Sequence, residues 1–185
     1  MMLRQRLTVV AAAAALATAG IAAGTAQAAA PAKHKPVRSG TLAASCSQAR
    51  LPLPDPSCTP GAYNPAVTQA TIGSTICVSG WTATVRPPVS YTNALKTQQI
   101  AQYGYADTNP ADYEEDHFVP LELGGAPRDP RNLWPEPRYG SQPAQSKDSV
   151  ETKLKNAVCG HRVTLAAARS AIASDWTTAL SRLGL

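Results

Sequence analysis

Apolar positions recur at helical spacing in three separate stretches of this chain. In 91–103, Leu95, Ile100 and Tyr103 alternate with the polar Lys96, Gln98 and Gln99, and Gly104 follows as a stop, which predicts a helix. In 145–158, Val150, Leu154, Ala157 and Val158 form the buried face of a second helix, ended by Gly160. Thr164 is placed to cap a third, along which Leu165, Ala168, Ile172, Trp176 and Leu180 repeat at three- and four-residue intervals. Upstream, 71–85 sets Ile72, Ile76, Val78, Trp81 and Val85 among Thr and Ser, a composition suited to one or two strands that Pro87 and Pro88 would stop. The Pro-crowded 51–65 excludes helix and central strand and predicts an irregular lead-in.

The pattern between the first two helices is different. From Asp112 an acidic run reaches His117, Phe118, Val119, Pro120 and Leu121, and then Gly124 and Gly125, where the backbone can turn with positive φ. After Arg128, Asp129 and Pro130 in the loop, Asn132, Leu133 and Trp134 would begin a return strand, with the helix from Gln145 packed across it. The expected fold is α+β: a small hairpin-plus-helix core with additional strands and helices.

Composition changes this picture at the N-terminus. Arg4 and Arg6 precede an Ala-rich apolar run over 7–24 and the small-residue segment Ala26, Gln27, Ala28, which reads as a secretory signal peptide over 1–28. A membrane anchor is disfavoured, because Ala and Gly leave the run only weakly hydrophobic. Cleavage would reduce 17 basic residues to 15 against 12 acidic ones, a net charge of +3, which suits a polyanionic substrate without arguing for one. Residues 29–45 read as a flexible basic tail and 46–185 as one domain with a small core. All four cysteines, Cys46, Cys58, Cys77 and Cys159, lie in the exported part, and with no CxxC pair they favour two disulfides over a zinc site. Of the three possible connectivities, Cys46 with Cys58 and Cys77 with Cys159 is preferred, the second tying an early strand to a late helix.

The order Asp116-His117, Pro120-Leu121, Gly124-Gly125 and Asn132-Leu133 resembles the HNH, or ββα-metal, nuclease family over roughly 113–159, and in particular its secreted bacterial branch with an Asn-Leu-Trp-Pro ending. The resemblance implies a ββα-metal core and metal-dependent endonuclease activity on nucleic acid, with DNA the expected substrate. Hydrolysis of a phosphodiester needs a water deprotonated near neutral pH, and an imidazole with an ordinary pKa of about 6.5 suits that task. His117 is thus the expected general base. The resemblance assigns Asn132 to orient the imidazole through its side-chain carbonyl, and Asp116 to ligate a divalent cation, Mg²⁺ in the first place, with Mn²⁺, Ni²⁺ or Zn²⁺ as alternatives. Adjacent strand residues point to opposite faces, so a bulge or twist is needed to bring Asp116 and His117 to one site.

One departure from the family lies in the helix, where a His or Asn usually supplies the second metal ligand. Here the segment reads Lys147, Asp148 and Glu151, and Glu151, nearer the apolar face, is the expected replacement ahead of Asp148. Lys147 would either meet phosphate or lie in solvent. Arg86, Arg128, Arg131 and Arg138 are candidates for phosphate contact, Trp134 is expected in the core, and His34 and His161 are expected bystanders. The competing expectation is a catalytically silent extracellular binding module on the same scaffold, motivated by the missing helix His. A Ser or Cys hydrolase is disfavoured, since no G-x-S-x-G elbow occurs and the cysteines are expected to pair. In either preferred case the mature protein is expected to be a secreted monomer with no membrane anchor.

Overall fold

A computed structural model describes residues 45–185. The expected signal peptide, and the basic tail as far as residue 44, lie outside the described residues. The fold is α+β, with a two-stranded antiparallel sheet and five α-helices in the described part. None of these helices is long and apolar enough to cross a membrane.

Strand β1, Tyr113–His117, pairs with β2, Leu133–Pro137, in an unbroken register from Tyr113 opposite Pro137 to His117 opposite Leu133. Phe118 N–H donates to the Asn132 carbonyl at one end and Arg138 N–H to the Asp112 carbonyl at the other. Hydrogen-bonded pairs alternate with unbonded ones, so Pro135 and Pro137 fall in the unbonded pairs, where a missing N–H costs the ladder nothing. A prolyl-rich segment can therefore serve as a strand here.

The connection between the strands is not a tight turn. It runs through two 3₁₀ turns, Leu121–Leu123 and Pro130–Asn132, and is itself braced by the Pro-rich lead-in. Gly61 N–H donates to Arg131 O, Asn64 N–H to Gly124 O, and Ala126 N–H to Ala62 O. Gly124 has φ +73°, whereas Gly125 is required for space: a Cβ there would lie 1.7 Å from the Val119 carbonyl oxygen.

Helix α1, Trp81–Val85, precedes α2, Val89–Tyr103, which starts after Pro88 and stops at Gly104 with φ 62°. Lys96 Nζ and Gln99 Nε2 dock α2 on the hairpin by donating to the Tyr113 and Leu133 carbonyls, at 3.0 and 2.8 Å. Around that junction Ile100, Tyr103, Tyr105, Tyr113, Phe118 and Trp134 form an aromatic core, and Trp134 is 1% exposed, as expected.

Helix α3, Ala144–Cys159, packs with α4, Leu165–Asp175, and α5, Ala179–Arg182, over a second core containing Leu123, Leu154, Val158, Leu165 and Ile172. Each such aliphatic side chain withdrawn from water contributes about 1.5–3 kcal/mol. Thr164 Oγ1 accepts from Ala167 N–H and caps α4 as the sequence predicts. The third helix stops short of its predicted length, because Asp175 Oδ1 takes both the Thr177 N–H and hydroxyl in a side-chain turn.

Residues 71–85 do not form strands. They make the 3₁₀ turn Ile72–Ser74 and α1. Their threonines bond locally instead: Thr71 Oγ1 to Ala66 O, Thr75 Oγ1 to Thr71 O and Thr84 Oγ1 to Trp81 O. These bonds, with left-handed Gly80, stabilise turns against β propensity, and the disulfide from Cys77 ties the region to Cys159. The pairs are Cys46–Cys58 and Cys77–Cys159, the preferred connectivity, although Cys77 stands in a turn and not in a strand.

Candidate active site at the end of the hairpin

His117 closes β1, and its side chain is nearly buried, with 5% of the residue exposed. Its Nε2 lies 3.0 Å from the Pro127 carbonyl oxygen. A carbonyl only accepts, so Nε2 carries the proton and Nδ1 holds the free lone pair. Burial lowers the pKa of the ring below its ordinary value, overcoming the opposing pull of Asp116 and of the Pro127 bond. At neutral pH the imidazole is thus uncharged, oriented and able to take a proton at Nδ1.

Asp116 precedes it on the strand and leaves by the other face, since the register contains no bulge. Its Oδ2 accepts from Lys147 Nζ at 2.6 Å. The same ammonium donates to the His117 backbone carbonyl at 3.0 Å and to Glu151 Oε1 at 2.5 Å. Lys147 is 1% exposed, and the two carboxylates beside it are nearly as enclosed. Burial would depress its pKa, but Asp116, Glu151 and Glu136 outweigh that and hold it well above the ordinary amine range. Glu151 is pushed up by burial, against the pull of Lys147.

Glu136, on β2 opposite Glu114, shares the face of Asp116 and is 1% exposed. Burial first, and then the Asp116 charge, drive its pKa well above the carboxylate range. Neither of its buried oxygens has a hydrogen-bond partner, so its anion is disfavoured beside Asp116 and eased only by the Lys147 charge. Glu115, on the opposite face, is likewise raised, to about 8, by burial and by Asp116.

Asn132 is fully buried but does not orient His117. Its amide is spent on the backbone: Oδ1 accepts from Val119 N–H, and Nδ2 donates to the Val119 and Ala126 carbonyls. The orienting role belongs to the Pro127 carbonyl. Nor do Asp116 and Glu151 fit a divalent ion held between them, because an oxygen of each is taken up by the Lys147 ammonium at that position. Asp148, the other helix candidate, is exposed.

No family model, curated protein or solved structure matches this chain.

Of the arginines, Arg131 pairs with Asp129 and Arg138 with Glu114, both near the surface. Arg86 and Arg128 are exposed, and the positive charge of Arg86 acts on His117. His161 is exposed, while His34 lies outside the described residues. Sequence reasoning passed over Glu136, and it left Lys147 between phosphate and solvent when the residue lies in neither. The available signal was the i, i+4 spacing of Lys147 and Glu151 on a helix following a strand rich in carboxylates.

Proposed function

We propose that the protein is an exported, HNH-like endonuclease that hydrolyses phosphodiester bonds of nucleic acid, with DNA the first substrate to test and His117 as general base. The observation that carries this reading is the state of His117: neutral, held by the Pro127 carbonyl, with Nδ1 free. An attacking water would give its proton to Nδ1 as its oxygen bonds to phosphorus and the sugar oxygen departs. Arg86 is exposed and its charge acts on His117, which supports a part for it in balancing charge on the phosphate. The two disulfides and the leader-like N-terminus support an oxidising, extracytoplasmic setting. A monomer acting outside the cell accounts for these features together. A metal ion bridging Asp116 and Glu151 has no part in this scheme.

The test is plasmid degradation by the exported protein, with Mg²⁺ or Mn²⁺ and with chelator, against His117→Ala. Loss of about 100-fold or more in the variant is expected. Equal cleavage by the two proteins rejects the assignment. The second reading, a silent binding module, is favoured by one observation, the filling of the inter-carboxylate position by Lys147. It predicts that wild type cleaves nothing under any of these conditions while still retaining nucleic acid on a gel.

A further inference from the structure

We infer that Lys147 is the resident cation of this site, a positioning residue whose ammonium stands where a divalent ion would bridge Asp116 and Glu151. The inference deepens the nuclease reading above and rests on it for its functional meaning, although the binding claim can be tested without catalysis.

An ammonium has three N–H donors, and all three are used: Asp116 Oδ2 at 2.6 Å, Glu151 Oε1 at 2.5 Å and His117 O at 3.0 Å. No donor remains for a phosphate, and the group is closed off from solvent. Two of the contacts are carboxylates from different elements, β1 and α3, and the third is the backbone of the proposed base. That is the work a bridging metal does: it neutralises facing carboxylates, ties helix to strand and fixes the strand end. A lysine does it with a point charge on a flexible stem, which suits three convergent acceptors better than a planar guanidinium. Bringing a divalent ion to the same position would require displacing a buried, fully bonded ammonium from between its partners. Lys147 is therefore built into α3 one turn before Glu151, and docking of the helix on the hairpin requires no metal there.

The experiment is a Mn²⁺ titration of the wild-type protein followed by paramagnetic broadening of its NMR signals, with a parallel thermal melt of wild type and Lys147→Ala in Mg²⁺ or chelator. Wild type should show no saturable broadening centred on Asp116 and Glu151 at millimolar Mn²⁺, and the same Tm with and without Mg²⁺. Lys147→Ala should melt lower in chelator and regain stability in Mg²⁺, as the vacated carboxylates accept the ion. If the variant folds only with Mg²⁺, that is the same result in stronger form. Saturable broadening at Asp116 and Glu151 in wild type overturns the inference, whatever the variant does. A folded Lys147→Ala that gains nothing from Mg²⁺ also overturns it. Absence of nuclease activity would reject the function proposed above while leaving these binding outcomes readable.

Discussion

Asn132 and Val119 hydrogen-bond each other twice, the side-chain amide of one matching the backbone N–H and C=O of the other at 3.0 Å each. A third bond, from Nδ2 to the Ala126 carbonyl, fastens both ends of the loop that delivers Pro127 to His117. Asn132 thus acts on the site through the backbone. Asn132→Ala should strand buried backbone groups and cost about 2–4 kcal/mol, measured by denaturant unfolding. If Asn132 instead oriented the ring directly, the variant would stay stable and change only the His117 tautomer, seen in ¹⁵N spectra of the imidazole.

Gly125 allows the same loop to close. Its missing Cβ leaves room for Val119 O at 1.7 Å and Asn132 Nδ2 at 2.8 Å, and the first of these is backbone that cannot swing aside. Gly125→Ala is expected to lose at least about 4 kcal/mol, enough to prevent folding of a marginal domain. Gly73→Ala, with nothing within 4 Å and no left-handed φ, is the control and should melt with wild type. Comparable Tm values for the two variants would show that the loop relaxes where the geometry says it cannot.

Which parts of this architecture were legible in advance follows from the range of the interactions. The helices at 89–103 and 144–159 and the Thr164 cap rest on local periodicity and capping, and the sequence displays both. The hairpin was legible because Gly125 and the acidic-to-apolar switch mark its loop and strand. What was missed depends on distant partners. Residues 71–85 carry strand-forming types, but the sheet among the described residues is built from β1 and β2 alone, and α2 docks on that hairpin through Lys96 and Gln99. The role of Asn132 turns on which carbonyl reaches His117, a matter of loop path. Lys147 was open between phosphate and solvent because lysine is ordinarily exposed; only the meeting of Asp116, Glu151 and the His117 carbonyl makes its burial tolerable.

The two disulfides should contribute unequally. Cys77–Cys159 spans 82 residues and Cys46–Cys58 spans 12, so the longer closure removes more freedom from the unfolded chain. On chain entropy alone the two contribute about 4.5 and 3 kcal/mol. The Cys77→Ser/Cys159→Ser protein should therefore have the lower Tm of the two double variants. Cys159 ends α3, so loss of its link would also loosen the helix that presents Lys147 and Glu151. The opposite order of Tm values would mean that packing of the lead-in, and not loop closure, sets the stability.

Buried carboxyls and a buried imidazole give the protein opposite limbs of pH dependence. Glu115 has its pKa raised to about 8 by burial and by the Asp116 charge, with Lys96 pulling the other way, and neither of its oxygens has a hydrogen-bond partner. Between the ordinary carboxylate value and 8, the folded protein binds a proton that the unfolded chain does not. Its contribution is accordingly complete below the unfolded value and is lost as pH rises through about 8. His117 is shifted down by burial, so its contribution is present above the ordinary imidazole value and is lost as pH falls through the lower folded one. The two windows overlap below the ordinary imidazole value, where their slopes oppose each other, and above it the Glu115 loss acts alone. Glu115→Gln keeps the shape of the acid and removes its ionisation, so it should flatten the alkaline limb and gain on the order of 2 kcal/mol near pH 9, with little change near pH 5. His117→Gln should flatten only the acid limb. Thermal melts of the three proteins across this range decide the matter: an alkaline limb that survives Glu115→Gln unchanged would assign it to another buried acid, with Glu136 the next to substitute.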